Sequence, residues 1–377
     1  MKVDTVSTIA DFETLQGEWG QMLAASRQRH LCLTHDWLIA WWKAFDPDEE
    51  RVGVLVARED DSGVAAAPLQ RRATTVAGIP VRSLEFSANL HTFRSDFLLP
   101  DGRDATPLVE GLLGRALAGG ALPDVLFFKD LPSDSPTVTA LERFAARRGF
   151  GLARENPRLS PYVCTDGPWE AYFKGLSKNL RSSLRRFRKR CLEAGATFER
   201  VVEGPGGTRL LEEGLALEAA GWKGREGTAI LADPGETSFY RQLVRRLGGT
   251  GRVEQYSLRL GDRLICWDVC ATYAGACHDL KTAYAEDQAY LGPGFALHME
   301  MMEHLFRTPE VCIYDMLPPA SDYKRRWIPD GFEQVSLRLY TRTPRGRLAH
   351  LVQGRLRPLL RRSSLLRQAK RRLLRDG

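Results

Sequence analysis

The segment 279–305, DLKTAYAEDQAYLGPGFALHMEMMEHL, holds the residue types best suited to grip an anion. A strand ending near Tyr284 passes through a short acidic loop into Leu291, Gly292, Pro293 and Gly294, where a long helix starts at once. Two glycines let the backbone turn without Cβ clashes and present successive N–H groups, and a helix N-terminus contributes roughly half a positive charge. Such a corner has the chemistry to receive a pyrophosphate. Glycine and proline that merely turn the chain give the same letters, so both readings stay open on this segment alone.

A loop of this kind needs a strand before it and a helix after it, and the chain carries that arrangement twice. RVGVLVARE (51–59), a turn at 60–63 and VAAAPLQRR (64–72) read as a β-hairpin; RVEQYSLRL (252–260), a turn at 261–262 and RLICWDVCATY (263–273) read the same, 201 residues later. Helices opening at Pro107 and Pro293, and strands opening at Val125 and Val311, are each offset by 186 residues. Helices over 12–25 and 37–45 precede the first hairpin, and helices over 210–220 and 239–247 precede the second. Matched order with a shared offset points to duplication. In the first copy the corner reads PDGRDATP (100–107), where Asp101 and Asp104 would repel an anion, so a phosphate site belongs to the second copy.

Between the copies, Leu176, Leu180, Leu184, Phe187 and Cys191 recur at helical spacing, predicting a helix from an N-cap at Ser177 to Gly195. Its other faces carry Lys178, Arg181, Arg185, Arg186, Arg188, Lys189 and Arg190: either a solvated face or a patch for phosphate on a coenzyme or an anionic substrate.

This chain of 377 residues carries a net charge of +7, but residues 342–377 hold twelve basic residues and one acid, leaving 42 basic against 46 acidic residues before them. A mildly acidic body argues against a nucleic-acid-binding fold surface, and no nucleic-acid partner is expected. Seven cysteines without a C-x-x-C read as reduced core residues, and the absence of H-E-x-x-H around His298 and His304 leaves no metal expected.

QAYLGPG (288–294) resembles the acyl-CoA pyrophosphate loop of the GNAT superfamily, with one extra residue between Gln288 and the first glycine. The set Trp222-Lys223-Gly224, 227–230 (GTAI), 281–284 (KTAY), 292–294 (GPG), Tyr314-Asp315 and 323–327 (YKRRW), with Leu180-Arg181 and 184–186 (LRR) upstream, is similar to bacterial BioF2-like, cellulose-biosynthesis-associated acyltransferases. These are tandem GNAT proteins akin to the Fem-type aminoacyltransferases. Over roughly residues 30–335 the resemblance implies an α+β chain of two GNAT-like lobes, each a mixed, mostly antiparallel sheet flanked by helices. It also implies acyl transfer from a CoA thioester to an amine or hydroxyl. The expected bounds are 1–165 for a lobe without a coenzyme loop, 166–341 for the acyl-CoA-binding lobe and 342–377 for a basic tail. The family's Asp-Phe/Leu-x-Gly pattern is here Asp315-Met-Leu-Pro-Pro.

Acyl transfer to an amine requires a neutral amine, a polarised thioester carbonyl and protonation of the leaving thiolate, much of which positioning and a backbone N–H at a strand splay can supply. Leu291, Gly292, Pro293, Gly294 and Gln288 would then hold the coenzyme. Strand alternation puts His278, Leu280, Thr282 and Tyr284 on one face and Asp279, Lys281 and Ala283 on the other. If the first face lines the cleft, His278 is a candidate base and Tyr284 a candidate acid. Asp315 could accept an amine proton while Lys324 holds an anionic acceptor, and Glu218 could share a helix face with Trp222. Lys281, Arg181, Trp222 and Lys223 complete the expected substrate-side set. Each of these residues also has an ordinary structural role available, as packed core or ion pair.

The tail RLRPLLRRSSLLRQAKRRLLRDG (355–377) alternates leucine pairs with arginines, a composition suited to an anionic membrane surface. The start has no apolar leader and no window is apolar enough to span a bilayer, so a cytoplasmic protein, peripheral on the inner face of the membrane, is expected. Two other functions stay open: an aminoacyl-tRNA-dependent transferase of the Fem kind, and a non-catalytic module that binds an acidic polymer.

Overall fold

Asp60 and Asp61 both take positive φ (48° and 63°), the backbone of a two-residue hairpin turn whose twist matches that of its strands. This turn joins β2 (Gly53–Glu59) to β3 (Ser62–Val76) in the computed structural model, which describes residues 1–47, 53–155, 157–202, 205–248, 252–327 and 330–353. With elements numbered along the chain, two units form: Met1–Gln28, Glu49–Pro157 and Gln334–Gly377 in the first, Arg29–Asp48 and Arg158–Glu333 in the second.

In the first unit β1 (Lys2–Val6), β2, β3 and β4 (Ile79–Phe86) are antiparallel neighbours. Helix α4 (Ala105–Ala118) then crosses over, so that β5 (Val125–Pro132) lies parallel to β4. β13 (Asp330–Tyr340) closes this sheet antiparallel to β5 and to β6 (Gly151–Arg154). Leu108, Val109, Leu112 and Leu113 of α4 and Leu141, Phe144 and Ala145 of α5 (Pro136–Arg148) bury one apolar face each against Leu55, Leu84, Leu126 and Leu337 of the sheet. Helices α1 (Ile9–Thr14) and α2 (Gln16–Ala25) lie between β1 and β2 in the chain.

The second unit repeats the topology. β8 (Ala196–Val201), β9 (Val253–Leu260), β10 (Arg263–Tyr273) and β11 (Ala276–Tyr284) are antiparallel, α11 (Pro293–Leu305) crosses over, and β12 (Ile313–Asp315) lies parallel to β11. β7 (Arg158–Cys164) then pairs antiparallel with β12. After α6 (Trp169–Gly175), α7 (Lys178–Glu193) begins where the Ser177 hydroxyl accepts from the Leu180 amide. Leu180, Leu184, Leu297, Met301 and Met302, from α7 and α11, cover one face of the sheet. On the other face lie α8 (Pro205–Ala220) and α10 (Pro234–Gly248); a Cβ on Gly214 of α8 would come within 2.1 Å of the Trp267 ring, so only glycine lets that helix seat there.

Hairpin, strand, crossover helix and parallel strand thus recur in the order expected from the sequence, in mixed, largely antiparallel sheets flanked by helices. The bounds differ from 165/166 and 341/342. β7 supplies the strand beside β12 and β13 the strand beside β5, so each unit closes its sheet with a segment from across the sequence boundary. The helix read as preceding the first hairpin, α3 (His35–Phe45), belongs to the second unit, where Trp37 packs edge-on to Phe239 of α10 with ring centroids 5.1 Å apart. Eight of its eleven residues are buried, so nearly every face must be covered by other elements, and sequence spacing cannot say which. The expected tail also begins inside the fold: Thr343 caps α13 (Pro344–Leu351), and Ala349 is fully buried in the first unit. Residues 354–377, most of the basic tail, lie outside the described residues.

Candidate functional site

Parallel pairing of β11 with β12 runs only from Ala276↔Ile313 to His278↔Asp315, while β11 continues to Tyr284. The strands therefore part, leaving the far half of β11 without a partner strand on that side among the described residues. Beyond the parting, an αL residue, Gly292 (φ 66°, ψ 45°), begins α11 with no side-chain cap. A Cβ on Gly292 would lie 2.3 Å from the Phe187 ring of α7, whereas one on Gly294 would meet nothing within 4 Å. The corner is thus closed on one side by an aromatic ring and open at Gly294. In the first unit the same position is occupied: Asp104 caps α4 by accepting from the Thr106 amide at 2.9 Å, and that bond holds its carboxyl below the usual range. The helix-end charge of α4 is already satisfied by a carboxylate of the protein, and that of α11 is not.

Loop acids that would oppose an anion at this corner are themselves paired. Glu286 accepts from Arg225 at 2.8 Å and from the Trp222 amide at 2.8 Å, and Asp287 accepts from Arg263 at 2.8 Å. Gln288 turns to the Asp287 carboxylate at 3.0 Å, and the Leu291 side chain is core.

Register decides which residues face the cavity beside this corner. Cys266↔Tyr284, Asp268↔Thr282 and Cys270↔Asp279 share one face; Trp267↔Ala283, Val269↔Lys281 and Ala271↔His278 share the other. Leu280 is the unpaired residue of a β-bulge, and that one insertion inverts the alternation midway along β11. The expected grouping of His278 with Tyr284 is corrected accordingly: Tyr284 lines the cavity, while His278 sits on the opposite face with its Nδ1 3.4 Å from Asp315 Oδ2. Asp279, read as pointing away, lines the cavity.

This cavity, about 390 Å³, is walled by Phe187, Pro293, Phe295, Leu297 and Met301. Asp268 and His298 line it from the buried side and Asp279 is half-buried beside them; Thr282 and Tyr284, the latter 45% exposed, line it toward solvent. Burial, reinforced by the proximity of Asp279, pushes the Asp268 carboxyl well above its ordinary range; burial also raises Asp279, against the pull of Lys324 and the Tyr314 hydroxyl, which donates to it at 2.9 Å. Burial lowers His298 to about 3, so its imidazole is neutral at physiological pH.

His298 therefore makes stability depend on pH in a stated direction. Its folded-state value lies below the ordinary 6.5, so the unfolded chain takes up the proton first and stability is lost as pH falls from 6.5 toward 3. At about 1.4 kcal/mol per pH unit, wild type should lose about 2 kcal/mol relative to His298→Phe between pH 7 and pH 5. Asp268, Asp279 and Tyr323 face the same cavity in both proteins, so denaturant unfolding of the pair at the two pH values isolates the histidine. Parallel profiles would mean that His298 is solvated.

The remaining expected residues separate into two groups on or near the other face. Lys324 donates to Leu317 O at 2.7 Å, and its pKa is lowered by burial against the opposing charges of Asp279 and Asp315; the Ser160 hydroxyl donates to Asp315 at 2.8 Å. Glu218 accepts from Lys223 Nζ at 2.5 Å and from the Ile230 amide at 2.9 Å, next to Lys281, whose pKa burial lowers. Trp222 is 49% exposed on the same segment. Arg181 is engaged with the Lys174 carbonyl, away from the cavity. Much of the basic face of α7 serves packing: Arg188 binds Glu300 and Glu303, Arg190 donates to Tyr290 O at 3.2 Å, and Arg185 lies over the Phe173 ring. Asp268 and His298 join the site without having been expected there. A carboxylate inside the apolar run ICWDVC is the available sequence signal for Asp268.

Residues 178–325, from α7 through the turn after β12, match the family model described as an acetyltransferase (GNAT) domain. This segment is similar to a GNAT domain. Among solved structures, FemX is similar at 11% identity and TM-score 0.59, over 92% of this chain and 99% of that one. A conserved protein of unknown function from Bacteroides thetaiotaomicron follows at 12% identity and TM-score 0.56, over 90% of this chain and 100% of that one. The C-terminal domain of a putative lysylphosphatidylglycerol synthetase from Agrobacterium fabrum gives 13% identity and TM-score 0.53, over 91% and 96%. At these identities the likeness is one of fold, and it extends over both units. No curated protein sequence matches. The matched segment contains α7, the bulged β11, the uncapped α11 and the cavity between them, so every residue that lines the cavity falls within it. Among the described residues no helix is long and apolar enough to cross a membrane, and no cluster of three metal-ligating side chains occurs.

Proposed function

We propose that this protein transfers an acyl group from acyl-CoA to an amine, or a hydroxyl, of an envelope sugar, polysaccharide or lipid precursor such as a long-chain amine. The observation that carries this reading is the contrast between the two helix corners: α4 capped by its own Asp104, α11 opening at Gly292 with no cap and open space at Gly294. Backbone N–H groups at that corner would take the pyrophosphate, and the arm bearing the thioester would follow the unpaired edge of β11 toward the cavity.

In the transfer, the amine nitrogen attacks the thioester carbonyl, a C–N bond forms, the C–S bond breaks, and the departing thiolate takes up a proton while the amine loses one. Asp279 is our candidate to accept the amine proton, because burial brings its affinity for a proton toward the working pH. Tyr284, at the solvent side of the cavity, is our candidate to protonate the thiolate. His278, held by Asp315 on the opposite face, is left a positioning role. The inner membrane face, with the basic tail as its contact, stays part of the proposal because lipid-borne acceptors are made there.

A second reading, with an aminoacyl-tRNA as donor, is favoured by one feature: buried carboxylates suit a donor that carries an ammonium group. Incubation with a panel of acyl-CoAs, with and without primary amines, should release free thiol only when an amine is present. Stimulation by charged tRNA with no response to any CoA ester would replace the first reading by the second.

A further inference from the structure

We infer that the cavity over β10 and β11 is a binding site for an organic ammonium group, held by Asp268, Asp279 and His298, with an aliphatic arm lying along Phe187, Leu297 and Met301. This deepens the acyl-transfer reading, on which it rests, by naming the charge and shape of one reactant at that site.

Three features carry it. First, Asp268 and Asp279 line one small apolar cavity, and the hydrogen bonds they accept come from neutral groups: the Cys270 thiol at 3.2 Å for Asp268 and the Tyr314 hydroxyl at 2.9 Å for Asp279. Among the described residues neither carboxylate forms an ion pair within 4.0 Å: the charge that acts most on Asp279 is Lys324, whose ammonium is bonded to Leu317 O, and Asp268 has Asp279 as its charged neighbour. Second, His298 lines the same cavity, is only 6% exposed, and its Nε2 has no hydrogen-bond partner among the described residues. Buried polar atoms are nearly always satisfied, so an orphan nitrogen on a residue that lines a cavity points to a ligand atom there. Third, the numbers match: an ammonium group offers three N–H donors, and the cavity offers two carboxylates and one neutral imidazole nitrogen. An anionic ligand would meet two acids, and a neutral alcohol brings one donor and no charge where an ammonium brings three donors and the charge that keeps both carboxyls ionised.

The ammonium can come from the acceptor, as a primary amine, or from the donor, as the α-amino group of an aminoacyl ester. Calorimetry on the full chain with n-hexylamine, n-hexanol and norleucine methyl ester separates these. Hexylamine should bind at least tenfold more tightly than hexanol. Asp268→Asn and Asp279→Asn should each weaken hexylamine at least tenfold while leaving hexanol within threefold, and the retained alcohol binding reports that the cavity is still folded. Tighter binding of the amino ester than of hexylamine assigns the ammonium to the donor, and the reverse order assigns it to the acceptor. Equal affinities for amine and alcohol, or undiminished amine binding in both variants, would overturn the site. Acyl-CoA affinity measured on the same samples keeps the two ideas apart: loss of amine discrimination with acyl-CoA still bound removes this inference and leaves the transferase reading, and the opposite result removes the donor corner and leaves the ammonium site.

Discussion

Gly294→Asp should abolish acyl-CoA binding while leaving the protein as stable as wild type or slightly more so. The position is the second residue of α11, its φ is not positive, and a side chain there enters open space at the cavity mouth. A carboxylate in a first helical turn is favourable by about 0.3–1 kcal/mol, so the melting temperature should hold or rise. The same carboxylate occupies the charge that a pyrophosphate would use. At about 4 Å and an effective dielectric of about 20, the repulsion is about 4 kcal/mol per charge pair, enough for a loss of affinity of 100-fold or more. Gly292→Asp makes the contrast. It forces a side chain into the αL region and against Phe187 at 2.3 Å, so it should lose about 2 kcal/mol or more of stability as well as ligand binding. Titration calorimetry and thermal unfolding on the two variants test the assignment together. Unchanged acyl-CoA affinity in Gly294→Asp would remove the donor site from α11.

Glu218→Ala should destabilise the protein by about 3 kcal/mol, with less than a tenfold change in kcat/KM for acyl transfer measured where the variant is folded. The Glu218 carboxylate is 4% exposed and ties the segment after α8 back onto that helix through Lys223 and the Ile230 amide. Removing it leaves a buried N–H without an acceptor and leaves the Lys223 ammonium facing Lys281, a pair that already lowers the proton affinity of Lys281. Lys223 is a quarter exposed and can turn partly to water, which keeps the expected loss at the low end for a broken buried pair. Glu218→Gln, which retains an oxygen for the Ile230 amide, should recover about half. A loss of kcat/KM above 100-fold at unchanged stability would give Glu218 the chemical role that its position four residues before Trp222 suggests.

The features legible in the sequence are those that depend on neighbours along the chain. Hairpin turns, the Ser177 cap, the end of α7 at Gly195 and the corner at Gly292 each follow from local φ preferences or from a periodicity within one element, which is why the duplicated order of elements can be read from the residues alone. The asymmetry between Asp104 and Gly292 is visible for the same reason, since a helix end is satisfied or left open by residues within one turn of it. Tertiary structure alone decides which side chains meet. One extra residue, Leu280, inverts an alternation of period two, so His278 and Tyr284 separate and Asp279 joins Asp268; whether a strand bulges is set by the partner strand, which the sequence of β11 does not contain. The segments that close each sheet, β7 beside β12 and β13 beside β5, pair across more than a hundred residues. Burial does the rest: Asp268, Asp279 and His298 are ordinary letters until an apolar cavity removes their water, and only then do their charges, and what could bind among them, become defined.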